Sequence, residues 1–471
     1  MKTNKLVRTF ITVSVLLTMV FCLAGCSKKT PREALEEAYQ KTFIDDNPIE
    51  SMLGLTELTT KLNENKAHST GYSFTIQEIS GKDLDRYAGY LSGLGLSVDN
   101  ASDLLNRKSM SAMDITYGGT TYLTLGTQLQ GSELFLTVPQ LLDGSVAVDF
   151  STIEEDLTSD SMIGQWFQSY NLTLPESFFS DLTQALTTSP ADTGDLLAAW
   201  EELEAAILVE KLDKKEISLP ESVTAKHVYN VTIPKQAYVT FMNASLDYCE
   251  QSAKALTDSF GTEGTNEVSA EFAEGKEEFR KLADSVGDVV VTVAVTKKGY
   301  INYMVSTITS GEDTATFTAS FTGANTPLEA FKLVTDATIN EKAYRFDLTQ
   351  EFDTTNHEID LTAKASEDNT VLFAFDCIGT FCDIEKDGKF TLDFDYLELK
   401  YGDDLSLSLA GDYYVDTTVC NIPTPAPSDY NLLRMSQADF TALLLEVAAN
   451  LKEDPLLSNV FGLLNSELSY Q

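Results

Sequence analysis

The sequence predicts an α+β fold: a curved antiparallel β-sheet, arranged as a meander and wrapped over helices, with a helical N-terminal part and C-terminal helices. Three patterns predict it. Residues 31–106 show mainly helical periodicity, residues 288–420 alternate apolar and polar side chains almost throughout, and residues 436–464 are again helical. Alternation places the apolar side chains on one face of the sheet, and that face needs a cover. The helices around 234–286 and 436–464 are the expected cover.

Composition supports a globular protein with a large excess of negative charge. The chain has 471 residues, 43% of them hydrophobic, which suffices for two or three domains with their own cores. Its 72 acidic and 33 basic residues give a formal net charge of −39. Such a polyanion gains no counterion-release energy from nucleic acid, so nucleic acid is excluded as a partner.

The first half of the chain mixes predicted helices and short strands. A helix begins at Pro31, another covers 49–65, a strand covers 68–79, and residues 83–105 are predicted as helix or loop. Short strands follow over 109–149, where Gly118-Gly119 indicates a hairpin turn. Helices are predicted at 151–170, 175–188 and 195–211, and a strand at 225–233.

The second half opens with the clearest helix, which follows Pro234 and extends to Phe260. Residues 261–266 are the best linker candidate, and a charged helix is predicted over 267–286. In the strand region that follows, Asp387-Gly388 predicts a type I′ hairpin turn. A proline-rich connector at 422–429 leads to a helix capped by Ser436 and Asp439, and a last amphipathic helix begins near Pro455.

These patterns divide the chain into five parts. Residues 1–25 are predicted to be a signal peptide, and 26–47 comprise Cys26, a tether and the first helix. Residues 48–262 form an N-terminal α+β domain, and 263–425 form an antiparallel β-rich domain. Residues 426–471 are C-terminal helices that pack on the sheet.

The first 25 residues have the three parts of a signal peptide. Lys2, Lys5 and Arg8 precede an apolar centre at 11–21, and small residues follow it. A permanent membrane-spanning helix is the competing interpretation. It needs about 20 predominantly apolar residues, whereas this apolar stretch is shorter and is diluted by threonine and serine.

The end of this leader, Leu23-Ala24-Gly25-Cys26, resembles the lipobox of bacterial lipoproteins at all four positions. The resemblance implies that Leu23, Ala24 and Gly25 are read by the processing protease and that Cys26 becomes the lipidated mature N-terminus. A diacylglyceryl group with its fatty acyl chains, palmitate among them, would anchor the protein to the extracytoplasmic face of the cell membrane.

No motif for catalysis, metal binding or cofactor binding is found, so the sequence predicts a protein that is not an enzyme. Its three histidines, His68, His227 and His357, are far apart and form no HExxH motif. The acidic segment around Asp387 matches only the start of a calcium loop, because Phe394 stands where that loop needs glutamate.

The four cysteines of the body allow three complete disulfide pairings, and their spacing does not choose among them. They are Cys249, Cys377, Cys382 and Cys420. Small buried hydrophobic residues are the alternative interpretation. Cys377 and Cys382 lie five residues apart, which on a regular strand puts their thiols on opposite faces.

Aromatic side chains on the predicted strands suggest one kind of binding site, an apolar cavity. If the sheet and its helices leave a gap, an apolar cavity lined by Phe317, Phe346, Phe373 and Phe394 is expected. The leader followed by helices and a one-sided sheet is also similar to LolA-like half-barrel lipid-carrier lipoproteins and to related, mostly uncharacterised Gram-positive lipoproteins. This second resemblance implies a role with hydrophobic ligands but supplies no site residue.

The predicted function is therefore that of a membrane-anchored extracytoplasmic lipoprotein that binds a hydrophobic small molecule or an envelope protein. Two alternatives stand beside it. A solute-binding lipoprotein of a transporter needs alternating strands and helices around a hinge, which the strand-only region 288–420 does not offer. A hydrolase with a dispersed carboxylate site lacks any nucleophile and base pair in the sequence.

Overall fold

The computed structural model describes residues 30–64, 67–82, 84, 88–157, 159–169, 194–213, 217, 219–259, 265–402 and 404–453. Its α-helices are α1 (Pro31–Tyr39), α2 (Pro48–Leu53), α3 (Leu55–Asn63), α4 (Ala88–Leu91), α5 (Ile153–Leu157), α6 (Met162–Ser169), α7 (Gly194–Ala206), α8 (Lys235–Ser259), α9 (Thr265–Val286) and α10 (Gln437–Glu453). A π-helical turn, Gln40–Asp45, continues α1.

The first nine strands are β1 (His68–Ser80), β2 (Leu94–Asp103), β3 (Lys108–Tyr117), β4 (Thr120–Gln130), β5 (Glu133–Thr137), β6 (Ser145–Asp149), β7 (Leu208–Leu212), β8 (His227–Ile233) and β9 (Val289–Val295). The others are β10 (Ile301–Ser310), β11 (Asp313–Phe321), β12 (Ala330–Ile339), β13 (Lys342–Asp353), β14 (Glu358–Glu367), β15 (Thr370–Glu385), β16 (Lys389–Tyr401), β17 (Leu405–Asp416) and β18 (Ser428–Asn431). Antiparallel strands with helices towards both ends confirm the predicted α+β class.

The described residues fall into two compact units. Unit 1 draws them from Met1–Ser51, Leu174–Thr354 and Asp360–Ala374. Unit 2 draws them from Met52–Thr173, Thr355–Ile359 and Phe375–Gln471. Each unit therefore combines segments that are distant in sequence.

Unit 1 contains an antiparallel meander in which β7 to β13 pair in chain order. Directly paired residues share a face, and one such row contains Val231, Val291, Ser306 and Phe317. The apolar face of this sheet is buried under helices. Residues of α1, α7, α8 and α9 join the same core, among them Leu35, Leu203, Tyr238 and Phe279. The expectation that the helices at 234–286 cover the sheet is confirmed for unit 1.

Two polar contacts connect helical segments of unit 1 to their neighbours: α8 to the residue that follows α9, and the π-helical turn after α1 to β10. The Tyr238 hydroxyl donates to the carbonyl oxygen of Gly287 at 2.8 Å, and burial raises the pKa of Tyr238 to about 12. The Thr42 hydroxyl, which is fully buried, accepts a hydrogen bond from the Ile301 amide at 2.9 Å. Each buried hydroxyl thus has a backbone partner, as burial requires.

Unit 2 contains a sheet in which the strand order differs from the chain order. Antiparallel pairing runs β16, β17, β1, β2, β3, β4, β5, β6, and β18 pairs parallel to β6. The pairing of β1 with β17 joins residues far apart in sequence: Ser73, which donates to the carboxylate of Asp412, is 339 residues away from it. The centre of this sheet therefore needs both halves of the chain.

Helix α10 packs against one end of the sheet of unit 2. Leu443 of α10 joins a buried cluster with Leu142, Val146 and Met435, and Leu136 of β5 packs against that cluster. The helix begins with the predicted capping box: the Asp439 amide donates to the Ser436 hydroxyl at 3.2 Å, and the Ser436 amide donates to the Asp439 carboxylate at 3.0 Å. Both the helix and its N-cap are confirmed.

The helices predicted over 49–65 and 151–170 are each present as two shorter helices, α2 with α3 and α5 with α6. Two further predicted segments adopt a different secondary structure. Residues 83–105 were expected as helix or loop, but Leu94–Asp103 is strand β2, paired on both sides with β1 and β3. The helix expected to end near Lys211 ends at Ala206, and Lys211 lies in β7, paired with β8. In both segments sheet pairing overrides local propensity. The predicted helices at 175–188 and from Pro455, and the linker glycines 261 and 264, lie outside the described residues.

The two predicted hairpin turns have different outcomes. Gly118 and Gly119 both have positive φ (58° and 79°) between β3 and β4, as a type I′ turn requires. Asp387 and Gly388 lie between β15 and β16, but only Asp387 has positive φ, so this turn is not type I′. The Gly388 amide donates instead to the Glu385 carbonyl oxygen at 2.8 Å.

Residues outside β15 and β16 also contact the turn at Asp387 and Gly388. The Asp387 amide donates to the carbonyl oxygen of Leu53 at 3.0 Å, and the ammonium of Lys61 donates to the Asp387 carbonyl oxygen at 2.5 Å. Gly54 has φ of 63° beside it, and a Cβ there would lie 1.5 Å from the Asp387 carboxylate. Contacts with α2 and α3 therefore shape this turn.

Candidate functional site

The main candidate site is one face of the sheet in unit 2, which we call the apolar face. Alternation along each strand and the pairing register together place apolar side chains in two adjacent rows across β16, β17, β1, β2, β3 and β4. The first row is Leu392, Tyr413, Tyr72, Val98, Met113 and Leu125. The second row is Phe394, Gly411, Phe74, Leu96, Ile115 and Leu123.

Among the residues that the structure describes, nothing buries the apolar face. None of the eleven side chains in the two rows is buried. Four remain 37–39% exposed, namely Tyr72, Leu96, Leu125 and Tyr413, and the other seven are half-buried. In contrast, the equivalent face of unit 1 contains Val291 and Phe317 at 1% and 3% exposure. An exposed apolar surface that continues over six strands is characteristic of a binding site.

Aromatic rings give the apolar face its local order. Phe74 and Phe394 are two strands apart with Gly411 between them, and their ring centroids are 5.7 Å apart. Phe390 lies 6.1 Å from Tyr413 and 5.8 Å from Phe381, between ring centroids. These separations are in the range for aromatic pairs. The face is therefore preorganised by contacts among its own side chains.

The opposite face of the same sheet is polar and acidic. The Tyr414 hydroxyl donates to the Asp99 carboxylate at 2.8 Å, and the Thr124 hydroxyl donates to Asp114 at 2.6 Å. Burial, with Asp99 nearby, raises the pKa of Tyr414 well above its usual value. The sheet of unit 2 therefore has one polar face and one apolar face, and of these two only the apolar face offers a surface for a nonpolar molecule.

The four phenylalanines predicted to line a cavity are distributed over both units. Phe317 and Phe346 share a row of unit 1 with Thr335 between them, and Phe317 belongs to the buried core there. Phe373 is half-buried in β15 and belongs to unit 1. Phe394 lies on the apolar face of unit 2. A cavity shared by all four stays a prediction.

A small depression in unit 2 is lined by polar groups and is a weaker candidate. Its volume is about 280 Å³. It is lined by Gln77, Glu78, Ile79, Ser80, Ala88, Ser92, Glu398, Ser406 and Ser408. Lys400 donates to Glu398 at 2.6 Å and keeps the pKa of that carboxyl low. Glu398 is thus engaged in an ion pair and is poorly suited to act as a general acid.

The four described cysteines form no disulfide. Cys377 is buried, Cys382 and Cys420 are half-buried, and Cys249 is exposed, so the interpretation of all four as buried residues is confirmed only for Cys377. Cys377 and Cys382 both lie in β15, where their odd spacing of five residues puts them on opposite faces of the strand, as predicted. The Cys382 thiol donates to Asp393 at 3.3 Å, and burial with that carboxylate raises its pKa to about 11.

Two further observations concern metal ions and the membrane. Within the described ranges, no group of three histidine, cysteine, aspartate or glutamate side chains is placed to hold a metal ion. No helix of this part of the chain has both the length and the hydropathy needed to cross a bilayer. The predicted lipobox, Leu23 to Cys26, lies outside the described residues.

Of the residues in the two rows, only Phe394 was among the predicted site residues, and it was predicted to line a cavity. Tyr72 and Phe74 lie in the strand predicted over 68–79, yet nothing in the sequence places them beside Leu96, Met113 and Leu125. The available signal was the alternation of Leu94, Leu96 and Val98, which marks β2 as a one-sided strand.

Comparisons with known proteins add no functional evidence. No family model and no curated protein matches the chain. Similar solved structures include two mutants of transferrin binding protein B from Haemophilus parasuis Hp5, at 9% and 8% identity, and intact Ap-TbpB with its N and C lobes, at 9%. Each alignment covers 74% of this chain and 75–76% of the other. The TM-scores are 0.10–0.11, so the likeness carries no argument.

Proposed function

We propose that this protein is a non-enzymatic, lipid-anchored extracytoplasmic lipoprotein that binds an apolar small molecule, such as a molecule with an acyl chain, on the apolar face of unit 2. The observation that supports it most is the pair of side-chain rows, in which eleven apolar residues lie side by side and none is buried. No charged side chain interrupts either row, so a nonpolar ligand desolvates no ionised group on binding.

The leader and the charge of the chain support the rest of the proposal. The resemblance of Leu23-Ala24-Gly25-Cys26 to a lipobox supports anchoring through Cys26. An anchored protein would meet its nonpolar ligand at the membrane surface, where such molecules are concentrated. The net charge of −39 disfavours nucleic acid and leaves a neutral apolar surface as the main binding feature.

A pair of adjacent substitutions tests ligand binding. Leu96 faces the apolar side, whereas Ser97 faces the polar side with Asp114 directly opposite it. Both variants, Leu96→Glu and Ser97→Glu, are made in the full chain carrying Cys26→Ala, which removes the covalent lipid from the assay. Non-covalently bound lipid is extracted and measured by mass spectrometry, and a fluorescent fatty acid is then titrated.

Leu96→Glu should reduce bound lipid and fatty acid affinity by about tenfold or more, because the ligand must cover a carboxylate. Ser97→Glu should change neither quantity. Leu96 is 39% exposed, so the charge is tolerated in the unliganded fold. Equal losses in both variants, no lipid in the parent chain, or protection of the face by another envelope protein would each contradict the proposal.

A further inference from the structure

Beside the first row of the apolar face lies a row of uncharged polar side chains, which we call the polar row. The pairing register places Thr70 of β1 opposite Asn100 of β2. Asn100 lies opposite Ser111 of β3, and Ser111 lies opposite Thr127 of β4. Each of these residues is two positions from a member of the first row on its own strand, so all four side chains point to the apolar side of the sheet. The apolar surface therefore borders on hydrogen-bonding groups along four adjacent strands.

The polar row has unused hydrogen-bonding capacity. Three of its members are half-buried and Thr127 is exposed. Among the described residues, no other protein group forms a hydrogen bond with any of these four side chains. The hydroxyls of the opposite face differ, since Ser73 and Thr124 each donate to an aspartate. Because half-buried polar groups normally have partners, the polar row is available to a ligand.

Formal charge is kept off this side of the four strands. By alternation, every aspartate, glutamate and lysine of β1–β4 lies on the opposite face. These residues are Glu78, Asp99, Asp103, Lys108 and Asp114. His68 is on the apolar side, one row beyond Thr70. An anionic head group would find no lysine or arginine of these strands beside it, and a cationic one would find no carboxylate, so an uncharged head group fits the polar row best.

The apolar face continues away from the polar row. Ile76 of β1 pairs with Leu409 of β17, and Leu409 pairs with Leu397 of β16. From Thr70 to Ile76 the distance along β1 is about 20 Å at roughly 3.4 Å per residue. The acyl chains of one membrane leaflet span about 15 Å, half of a hydrocarbon core of about 30 Å. An acyl chain that starts at the polar row and follows the strands therefore stays on apolar side chains.

We propose that the ligand of the apolar face is an amphiphile whose uncharged, hydroxyl-bearing head group binds to the polar row, while its acyl chain lies across the two apolar rows towards Ile76. Serine and threonine hydroxyls and the asparagine amide both donate and accept hydrogen bonds. The polar row therefore matches a head group that also does both, such as glycerol. This inference rests on the proposed function for the acyl chain, and it adds the chemical class of the head group and its orientation on the sheet.

Three ligands with one acyl chain and different head groups test the class. They are monooleoylglycerol, methyl oleate and oleate, and each competes with a fluorescent fatty acid for the full chain carrying Cys26→Ala at pH 8. Monooleoylglycerol should bind about fivefold or more tightly than methyl oleate, because only its head group donates hydrogen bonds. It should also bind more tightly than oleate, whose carboxylate gains no basic partner. Equal affinities for monooleoylglycerol and methyl oleate, or tighter binding of oleate than of monooleoylglycerol, would overturn the inference.

A matched pair of double variants tests the position of the head group. Thr70→Val with Ser111→Ala removes two hydroxyls of the polar row, and Thr75→Val with Ser97→Ala removes two from the opposite face. The first variant should lose most of the preference for monooleoylglycerol over methyl oleate, with its affinity for methyl oleate unchanged. The second should keep both affinities. A preference that persists in the first variant, or that falls equally in both, would contradict binding of the head group to the polar row.

Methyl oleate separates this inference from the proposed function, because it reports on the apolar rows alone. If methyl oleate binds, Leu96→Glu weakens that binding, and the head group makes no difference, the inference is wrong but the proposed function stands. If none of the three ligands binds and Leu96→Glu releases no lipid, the proposed function fails and the inference fails with it.

Discussion

At the scale of single residues, Gly411 shows how closely the backbone approaches itself under the apolar face. A Cβ at this position would lie 1.8 Å from the carbonyl oxygen of Ser73 and 2.9 Å from the Cα of Phe74, both backbone atoms. Neither can move without disturbing the pairing of β1 with β17. Only glycine fits there, and its missing side chain leaves room for the Phe74–Phe394 ring contact.

We therefore expect Gly411→Ala to destabilise unit 2 by roughly 1–3 kcal/mol, the cost of overpacking. Faster amide hydrogen exchange in β1 and β17 would report it. Gly275→Ala in α9 is the control: nothing lies within 4 Å of its Cβ position, and alanine should stabilise that helix by about 0.5–1 kcal/mol. Unchanged amide exchange in Gly411→Ala would show that β1 and β17 can move apart to admit a Cβ without loss of stability, and it would contradict the prediction.

Cysteine reactivity gives a second prediction at this scale. The pKa of Cys382, raised to about 11 by burial and by Asp393, leaves little thiolate at pH 8. Iodoacetamide should therefore modify the exposed Cys249 well before Cys382. Asp393→Asn removes the nearby negative charge and should accelerate modification of Cys382 severalfold, with the rate at Cys249 unchanged. Mass spectrometry of tryptic peptides over time measures both rates, and an unaltered Cys382 rate would contradict the assigned role of Asp393.

At the scale of helices and strands, α8 and α9 are joined by an ion-pair cluster. The Lys276 ammonium of α9 contacts Asp247 at 2.5 Å and Glu250 at 3.0 Å on α8, and Lys254 contacts Glu250 at 2.7 Å. Hydrogen bonds from Lys254 and then Lys276 lower the pKa of Glu250 from 4.5 to about 2. The Glu250 carboxylate therefore binds a proton less readily in the folded state than in the unfolded chain.

The sign of the pH effect follows from that lowered pKa. The contribution of Glu250 to stability is fully present above pH 4.5 and is lost as the pH falls towards 2. Its magnitude should be about 1 kcal/mol, because solvent screens a pair at the helix surface. Hydrogen exchange of α8 and α9 at pH 5 and pH 2.5 measures it. Glu250→Gln should flatten this dependence, whereas Glu274→Gln, at an exposed position of α9, should leave it in place.

Elements with strong periodicity could be predicted from the sequence, and elements that depend on their neighbours could not. The helix after Pro234 and the strands beyond residue 288 have uninterrupted patterns, and both were predicted correctly. Strand β2 contains Gly95, Asp99 and Asn100, which disfavour strands, and it forms because β1 and β3 pair with both its edges. The candidate site was hidden for the same reason, since its rows exist only once the register across six strands is fixed.

At the scale of the whole molecule, the proposed anchor makes a prediction about location. Cys26→Ala should move the protein out of the membrane fraction, because no acyl chain is then attached. Cys22→Ala, four residues earlier in the same leader, should leave it membrane-bound. Fractionation with detection of N-terminal fatty acyl mass measures both variants. Continued membrane association of Cys26→Ala would refute anchoring through this cysteine.

The place of β1 between β2 and β17 has a consequence for when unit 2 can fold. Ser73 of β1 and its partner Asp412 of β17 are separated by 339 residues, and loop closure over such a distance is slow. During synthesis, β1 can pair with β2 early, but it cannot pair with β17 until nearly the entire polypeptide has been made. In a chain that crosses a membrane N-terminus first, unit 2 would therefore stay incompletely folded for most of the translocation. Its sheet would form fully only after the last strands have crossed.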